Sequence, residues 1–565
     1  MEFRVWAPAA HRVTLHCGTE SIPMTADGQW WTAERPAEHG TDYGFSLDEG
    51  ERVLPDPRSR WQPAGVHERS RVYDHTRFAW DDAGWTGRQL AGGVVYELHV
   101  GTFTPAGTFD GAIERLPYLK KLGIDLVELL PVNAFNGDYN WGYDGVGWYA
   151  VQESYGGPDG LKRFVDAAHR HGLGVLIDAV YNHFGPSGAY APQFGPYLSA
   201  GANTWGRSLN LDEPDSGEVR RYIIDSALQW LRDYHADGLR LDAVHALVDR
   251  GATHLLEELA AEVDALSTAL GRPLSLIAES DLNDPRLITA REAGGYGLTA
   301  QWDDDVHHAL HAMLTGERQG YYADFGSPEC FTKVWESAFF HAGTWSSFRR
   351  RVHGRPVDRA RIPGHRFVVC LQNHDQVGNR ATGDRLTATL SPGLLRVAAT
   401  LLLTSPYTPM LFMGEEFAAR TPWQFFTSHP EPALAAAVAN GRREEFAAHG
   451  WPPGDVPDPQ DPETFARSHL DWAAQDLAML ELYRRLIALR KRLPGLSDPR
   501  LDRVKVVHDD GVLVIRRGEQ AVVANLTADP RTVPLRADCV LFATDETTLL
   551  QSGLLTLPGE SAAIL

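Results

Sequence analysis

From residue 94 to residue 493 the chain alternates short apolar runs with amphipathic stretches, and no other feature restricts its fold as much. Residues 94–100, 125–132, 174–180, 238–242, 274–279, 367–371 and 409–413 read as strands. Between them, 113–122, 160–171, 218–234, 253–270 and 392–403 carry apolar positions at helical spacing. The stretch 477–493 closes the series, with Leu480, Tyr483, Leu486, Ile487 and Leu489 on one face. Strands joined through helices pair in parallel. About eight such units over roughly 400 residues predict an α/β fold, a closed (β/α)8 barrel of the TIM type with inserted loops.

The flanks have a different rhythm. Residues 3–6, 12–16 and 29–32 alternate apolar and polar side chains between Pro- and Gly-rich breaks, which predicts an N-terminal β-sandwich over 1–90. After Pro494-Gly495 short strand patterns return at 504–507, 512–515 and 521–524, with the turn signal Asp509-Asp510-Gly511 between the first two. The expected division is therefore 1–90, a catalytic barrel over 91–495, and a small C-terminal β-sandwich over 496–565.

Charge and cysteine usage narrow the function. A net charge of −21 argues against nucleic acid and anionic membranes, whose binding needs basic patches. Cys17, Cys330, Cys370 and Cys539 are far apart and form no CxxC, so neither a disulfide framework nor a zinc knuckle is expected. The start of the chain lacks a long apolar run, and no segment is apolar enough to span a bilayer, so a cytoplasmic location is expected. There is no G-x-S-x-G and no Gly-Lys dipeptide, which counts against an α/β-hydrolase nucleophile and a Walker A loop. His307 and His311 stand one helical turn apart, but they lack the Glu of H-E-x-x-H, so polar contacts around a cleft are preferred to a metal face.

Three strand-like runs end on acids: Asp242, Glu279 and Asp375. Arg240 and Asp242 share a strand face because side chains alternate with a period of two. Alone, the pair could simply close a core. Three acids at the C-terminal ends of barrel strands, with His183 and His374 at similar positions, match an active-site pattern instead. Glycoside hydrolysis needs such a set, one carboxylic acid to protonate the leaving oxygen and one carboxylate to attack the sugar or activate water.

Asp178-Ala179-Val180-Tyr181-Asn182-His183, Gly238-Leu239-Arg240-Leu241-Asp242-Ala243, Ala278-Glu279 and Asn373-His374-Asp375 resemble the four signature regions of the α-amylase family, in that family's order. Asn140-Trp141-Gly142-Tyr143-Asp144-Gly145 and Leu411-Phe412-Met413-Gly414-Glu415-Glu416 resemble its flanking motifs. The stretches around His245, Asp281, 301–311, 372–380 and 457–465 resemble the trehalose-releasing branch. The resemblance implies a retaining glycosidase with Asp242 as nucleophile, Glu279 as general acid/base and Asp375 as transition-state stabiliser. It implies that Tyr143 stacks on the sugar while His183, Arg240 and His374 bind its hydroxyls or orient Asp242. For recognition of a trehalose end, the expected residues are His245, Asp304, Asp305, His307, His308, Gln376, Asn379 and Arg380. The implied substrate is a maltooligosyltrehalose and the product trehalose. The implied functional partner is a maltooligosyltrehalose synthase, with no metal or organic cofactor.

Three rival readings stay open at this point, the last of them a metal-dependent hydrolase that uses the His307–His311 face. A glycogen branching or debranching enzyme would share the N-terminal sandwich. A non-catalytic glucan-binding protein would be expected to lack at least one of the three acids.

Overall fold

The computed structural model describes residues 1–448 and 453–565. Eight strands close a barrel: β1 (Val95–Leu98), β2 (Leu126–Leu129), β3 (Gly174–Ala179), β4 (Gly238–Leu241), β5 (Ser275–Ala278), β6 (Ala300–Trp302), β7 (Phe367–Cys370) and β8 (Thr408–Phe412). Every neighbouring pair is parallel, and β8 closes the ring on β1 with Met410 opposite Val95 and Phe412 opposite Glu97. Strand β6 is the one that the apolar pattern does not reveal, because three residues are too few to carry a period. The expected helix over 113–122 is two helices, Phe109–Ile113 and Leu116–Leu122. Pro117 lies in the first turn of the second, where its missing N–H costs nothing.

The barrel interior is layered. Val95, Leu126, Leu176, Ile277, Val368 and Met410 belong to one apolar cluster. Two residues further along β1, β2 and β3, on the same face, stand Glu97, Glu128 and Asp178, all buried. Arg240 of β4 joins them, fully buried. Gly238, two residues before it, has to be glycine, since a Cβ there would lie 2.5 Å from the Ser275 carbonyl oxygen and 2.8 Å from a Leu176 methyl. An apolar floor thus carries a charged layer that faces the C-terminal ends of the strands.

The N-terminal strands form a three-stranded sheet (Glu2–Trp6, Trp30–Glu34, Thr25–Asp27) and a four-stranded one (Glu20–Pro23, Val13–Cys17, Asp42–Leu47, Ser70–Arg71). Residues 78–90 then run under the barrel, and a buried charge cluster fastens them. The Asp82 carboxylate accepts from His169 Nδ1 and His235 Nδ1, each at 2.8 Å, and His169 Nε2 lies 3.0 Å from Asp237 Oδ2. Trp85 stacks on the His169 ring at 4.4 Å and donates to Asp237 Oδ1 at 2.8 Å. Beyond the closing helix Leu477–Arg492, a five-stranded and a three-stranded sheet complete the chain. All four cysteines are free. Among the described residues no helix is long and apolar enough to cross a membrane.

Candidate active site

Asp242 and Glu279 continue the ladder one residue past β4 and β5, the Asp242 N–H donating to Ala179 O at 3.1 Å and the Glu279 N–H to Leu241 O at 2.9 Å. Their side chains enter the same space above the charged layer. Arg240 organises it. Its Nη1 donates to Asp178 (2.9 Å to each oxygen) and to Asp242 Oδ1 (2.6 Å), while Nη2 lies 3.7 Å from Glu279 Oε2. Its guanidinium sits 4.4 Å from the Trp302 ring centroid, so β6 supplies a flat face for the cation. Asn182 Nδ2 donates to the other Asp242 oxygen at 2.6 Å. Both oxygens of Asp242 are thereby oriented by donors, as suits an ionised carboxylate.

Glu279 is held differently. Burial pushes its carboxyl up to about 8; Arg240 opposes this, and Asp242, Asp304 and Asp375 add to it. It accepts one hydrogen bond, at 2.6 Å, from the backbone N–H of Ala243. That residue has φ 41° and ψ 48°, the left-handed region that an L side chain occupies at a cost of about 1–2 kcal/mol. The strained turn after Asp242 is stitched to Glu279 again by Val244 N–H to Glu279 O at 2.9 Å. The backbone immediately after Asp242 is thus bonded to Glu279 at both its side chain and its carbonyl.

Asp375 lies in the first turn of the short helix His374–Gly378, capped by the Asn373 side chain accepting from Gln376 N–H at 2.7 Å. It is the most open of the three, with 45% of its side chain exposed. Behind it, His374 has both ring nitrogens engaged: Nδ1 with Glu97 Oε1 at 2.6 Å and Nε2 with the Tyr143 hydroxyl at 2.7 Å. The Tyr143 hydroxyl donates to Asp178 Oδ2 at 2.6 Å. Burial raises the Asp178 carboxyl to about 6, against the pull of Arg240. Burial opposes charge on His374, but Asp375 and Glu97 outweigh it and lift the ring to about 9.

The expected substrate contacts divide into two groups. Tyr143, His183, Arg240 and His374 gather round the acids, with His183 Nε2 on Tyr143 O at 3.0 Å and Nδ1 on Asn182 Oδ1. Asp304 stands in the same space, its carboxyl raised by burial and by the nearby Asp375. Gln376 and Asn379 flank Asp375, Asn379 Nδ2 reaching its carboxylate at 3.2 Å. His308 packs its ring against Tyr321 at 4.9 Å. Asp305, His307 and Arg380 are placed with their polar atoms bonded to the surrounding fold. Asp305 Oδ2 accepts from Asn283 Nδ2 and from the N–H groups of Phe340 and His341 at 2.8–2.9 Å. His307 bonds Leu371 O (2.8 Å) and the Tyr322 hydroxyl (3.0 Å). Arg380 grips Glu317 with both Nη atoms (2.9 and 3.0 Å) and Asp384 with Nε (2.8 Å). Among the described residues no group of three or more His, Cys, Asp or Glu could hold a metal ion.

One wall of the site joins His245, Asp281 and His308 to aromatic and basic residues that the sequence patterns did not single out. Trp205, 47% exposed, has its ring 6.0 Å from both His183 and His245. The Asp281 N–H donates to His245 Nδ1 at 3.3 Å, and the Asp281 carboxylate pairs with Arg349. Phe348, 50% exposed, meets Tyr321 at 6.1 Å, and Tyr321 leads back to His308. Aromatic faces alternate with one ion pair along this wall, a surface that suits sugar rings and their hydroxyls.

The α-amylase catalytic-domain profile matches residues 72–194, and a domain of unknown function, DUF3459, matches 499–564. The malto-oligosyltrehalose trehalohydrolase of Arthrobacter ramosus is 58% identical over 100% of this chain and 99% of its own length. The chain belongs to the malto-oligosyltrehalose trehalohydrolase family. The Mycobacterium tuberculosis (strain ATCC 25618 / H37Rv) member is 56% identical over 96% of this chain and 95% of its own. A solved Salmonella typhimurium chain superposes with a TM-score of 0.92 at 38% identity, covering 100% of this chain and 97% of that one. Membership makes the chain a glycosidase of the α-amylase family, and the barrel with its C-terminal β domain is the frame in which its acids stand.

Proposed function

We infer that the chain hydrolyses the α-1,4-glucosidic bond next to the terminal trehalose unit of a maltooligosyltrehalose, releasing trehalose and a shorter maltooligosaccharide. Asp242 attacks the anomeric carbon and Glu279 protonates the leaving oxygen, then takes a proton from the water that releases the sugar. Asp375 stabilises the oxocarbenium-like charge. The observation that carries this reading is how differently the two carboxyls are held. Asp242 has both oxygens oriented by Arg240 and Asn182, whereas burial keeps a proton on Glu279 up to about pH 8. A glycosidase pair needs one anion and one acid in a single cleft.

On this reading the barrel, 91–495, does the chemistry, and 1–90 and 496–565 are its flanking β-sandwiches. The wall from Trp205 through His245, Asp281 and Arg349 to Phe348 takes the trehalose unit. A linear glucan end leaves the polar groups of that wall unpaired, which costs it affinity for the transition state. The enzyme works in the cytoplasm, downstream of a synthase that converts maltooligosaccharide ends to trehalosyl ends. The test compares maltotriosyltrehalose with maltopentaose at equal concentration. Trehalose release from the first, with far slower cleavage of the second, is expected; similar rates on both would make this a general amylase.

A further inference from the structure

Glu97 is a buried acid that the two-carboxylate mechanism does not use. It sits at the end of β1, one strand away from β7 across β8, and its side chain crosses that gap. Its Oε2 accepts from the backbone N–H of His374 at 3.0 Å, and its Oε1 faces His374 Nδ1 at 2.6 Å. Two N–H groups converging on separate oxygens of one side chain call for a carboxylate, since an amide would offer an oxygen to only one of them. The backbone bond pins the start of the helix His374–Gly378, and with it Asp375.

The far side of the ring decides its charge. Nε2 of His374 meets a Tyr143 hydroxyl whose own proton is directed at Asp178 at 2.6 Å. An oxygen that has given its proton away can only accept, so Nε2 must donate. Nδ1 faces Glu97 Oε1 at 2.6 Å while the backbone N–H of His374 takes Oε2, an arrangement in which Nδ1 donates. Both ring nitrogens then carry hydrogen, and the ring is a cation.

We propose that Glu97 is a positioning residue for the glycosidase reaction: by accepting from both the backbone N–H and the Nδ1–H of His374, it holds that ring as an imidazolium and so fixes Asp375 and the Tyr143 hydroxyl. This deepens the reading of Asp242 and Glu279 given above and rests on it. The groups facing His374 agree with a cation. Asp375 Oδ2 is 3.5 Å from Nε2, and Asp178 of β3 is one hydroxyl away. Glu128, opposite Glu97 on β2, has its carboxyl pushed well up by burial and by Glu97. Arg240 of β4 opposes the cation, and burial keeps His99 uncharged. Trp141 and Trp302 present their rings at 5.9 and 6.1 Å.

The experiment follows His374 directly. In protein labelled with 13C-histidine, the ring signal missing from His374→Gln should titrate near 9 in the wild type. In Glu97→Gln it should fall toward the ordinary value of about 6.5. A maltosyl fluoride, whose leaving group needs no protonation, then reads the consequence without the acid role of Glu279. At pH 8.5 Glu97→Gln should lose about tenfold to a hundredfold in kcat with KM within about threefold, and most of that loss should be recovered at pH 5.5, where His374 is protonated in both enzymes. A merely structural Glu97 would give the same fractional loss of kcat at both pH values, and that result would overturn the proposal. So would a His374 signal titrating below 7 in the wild type, a measurement that needs no folded Glu97 variant. The titration is independent of activity, so failure of the Asp242 and Glu279 reading would leave it intact and visible as a separate result.

Discussion

Replacing Glu279 by glutamine should stabilise the protein, by an amount that grows as pH rises from about 4.5 to about 8. Burial holds the Glu279 proton in the folded state up to about 8, against an ordinary glutamic acid value of 4.5. Between those two values the folded chain keeps a proton that the unfolded chain has lost, so each rising pH unit removes about 1.4 kcal/mol of stability. Above 8 both states are ionised and the loss stops growing. Over the whole interval it reaches about 3–5 kcal/mol. The substituted glutamine would carry no charge, and its amide oxygen could still accept from the Ala243 N–H, so the variant would avoid the loss. A cooperative unit of roughly 400 residues converts 1 kcal/mol into about 1 °C. At pH 9 the variant should therefore melt about 3–5 °C above the wild type, and at pH 5 within about 1 °C of it. Thermal denaturation of both proteins at matched scan rate reads this out. An equal shift at both pH values, or a variant that melts lower at pH 9, would refute the claim that the folded site holds Glu279 protonated.

Other outcomes follow from the same geometry. Asp242→Asn should keep the circular dichroism of the wild type and lose on the order of 10⁴-fold or more in kcat, since an amide cannot attack the anomeric carbon; retention of a tenth of the rate would remove Asp242 from its role. Asp304→Asn takes away one of the charges that raise Glu279. The alkaline limb of kcat/KM on the natural substrate should then move to lower pH, and an unmoved limb would place Asp304 outside the field of Glu279. Under the barrel, Asp82 and Asp237 hold His169 protonated against its burial. That stabilisation is complete below the unfolded value of about 6.5 and is lost as pH rises through the higher folded value. His169→Gln should thus cost more stability at pH 6 than at pH 10, and a cost independent of pH would exclude the charged form.

How much of this was legible in the chain varies with the physical signal. Strands β4, β5 and β7 announce themselves because apolar runs end abruptly on Asp242, Glu279 and His374-Asp375. Glu97 carried a signal that went unused: an acid inside Val-Val-Tyr-Glu-Leu is costly to bury without a partner, and the partner proved to be His374. Strand β6 had no such signal, being three residues long, although Trp302 within it supports Arg240. Trp205 and Phe348 lie where no periodicity applies, so their place on the wall depends on loops meeting across the barrel mouth. For Asp305, His307 and Arg380 the sequence carried no directional signal. Each is within a few residues of a site group, but proximity along the chain does not say which way a side chain turns. All three turned into the scaffold.

The central claim is that Asp242 and Glu279 carry out a retaining hydrolysis beside a trehalose unit. Time-resolved proton NMR of maltotriosyltrehalose digestion tests it most directly. One trehalose and one maltotriose should form per event, and the first maltotriose seen should be the α anomer, ahead of mutarotation. Initial β-maltotriose, or glucose and maltose as the dominant products, would contradict the account.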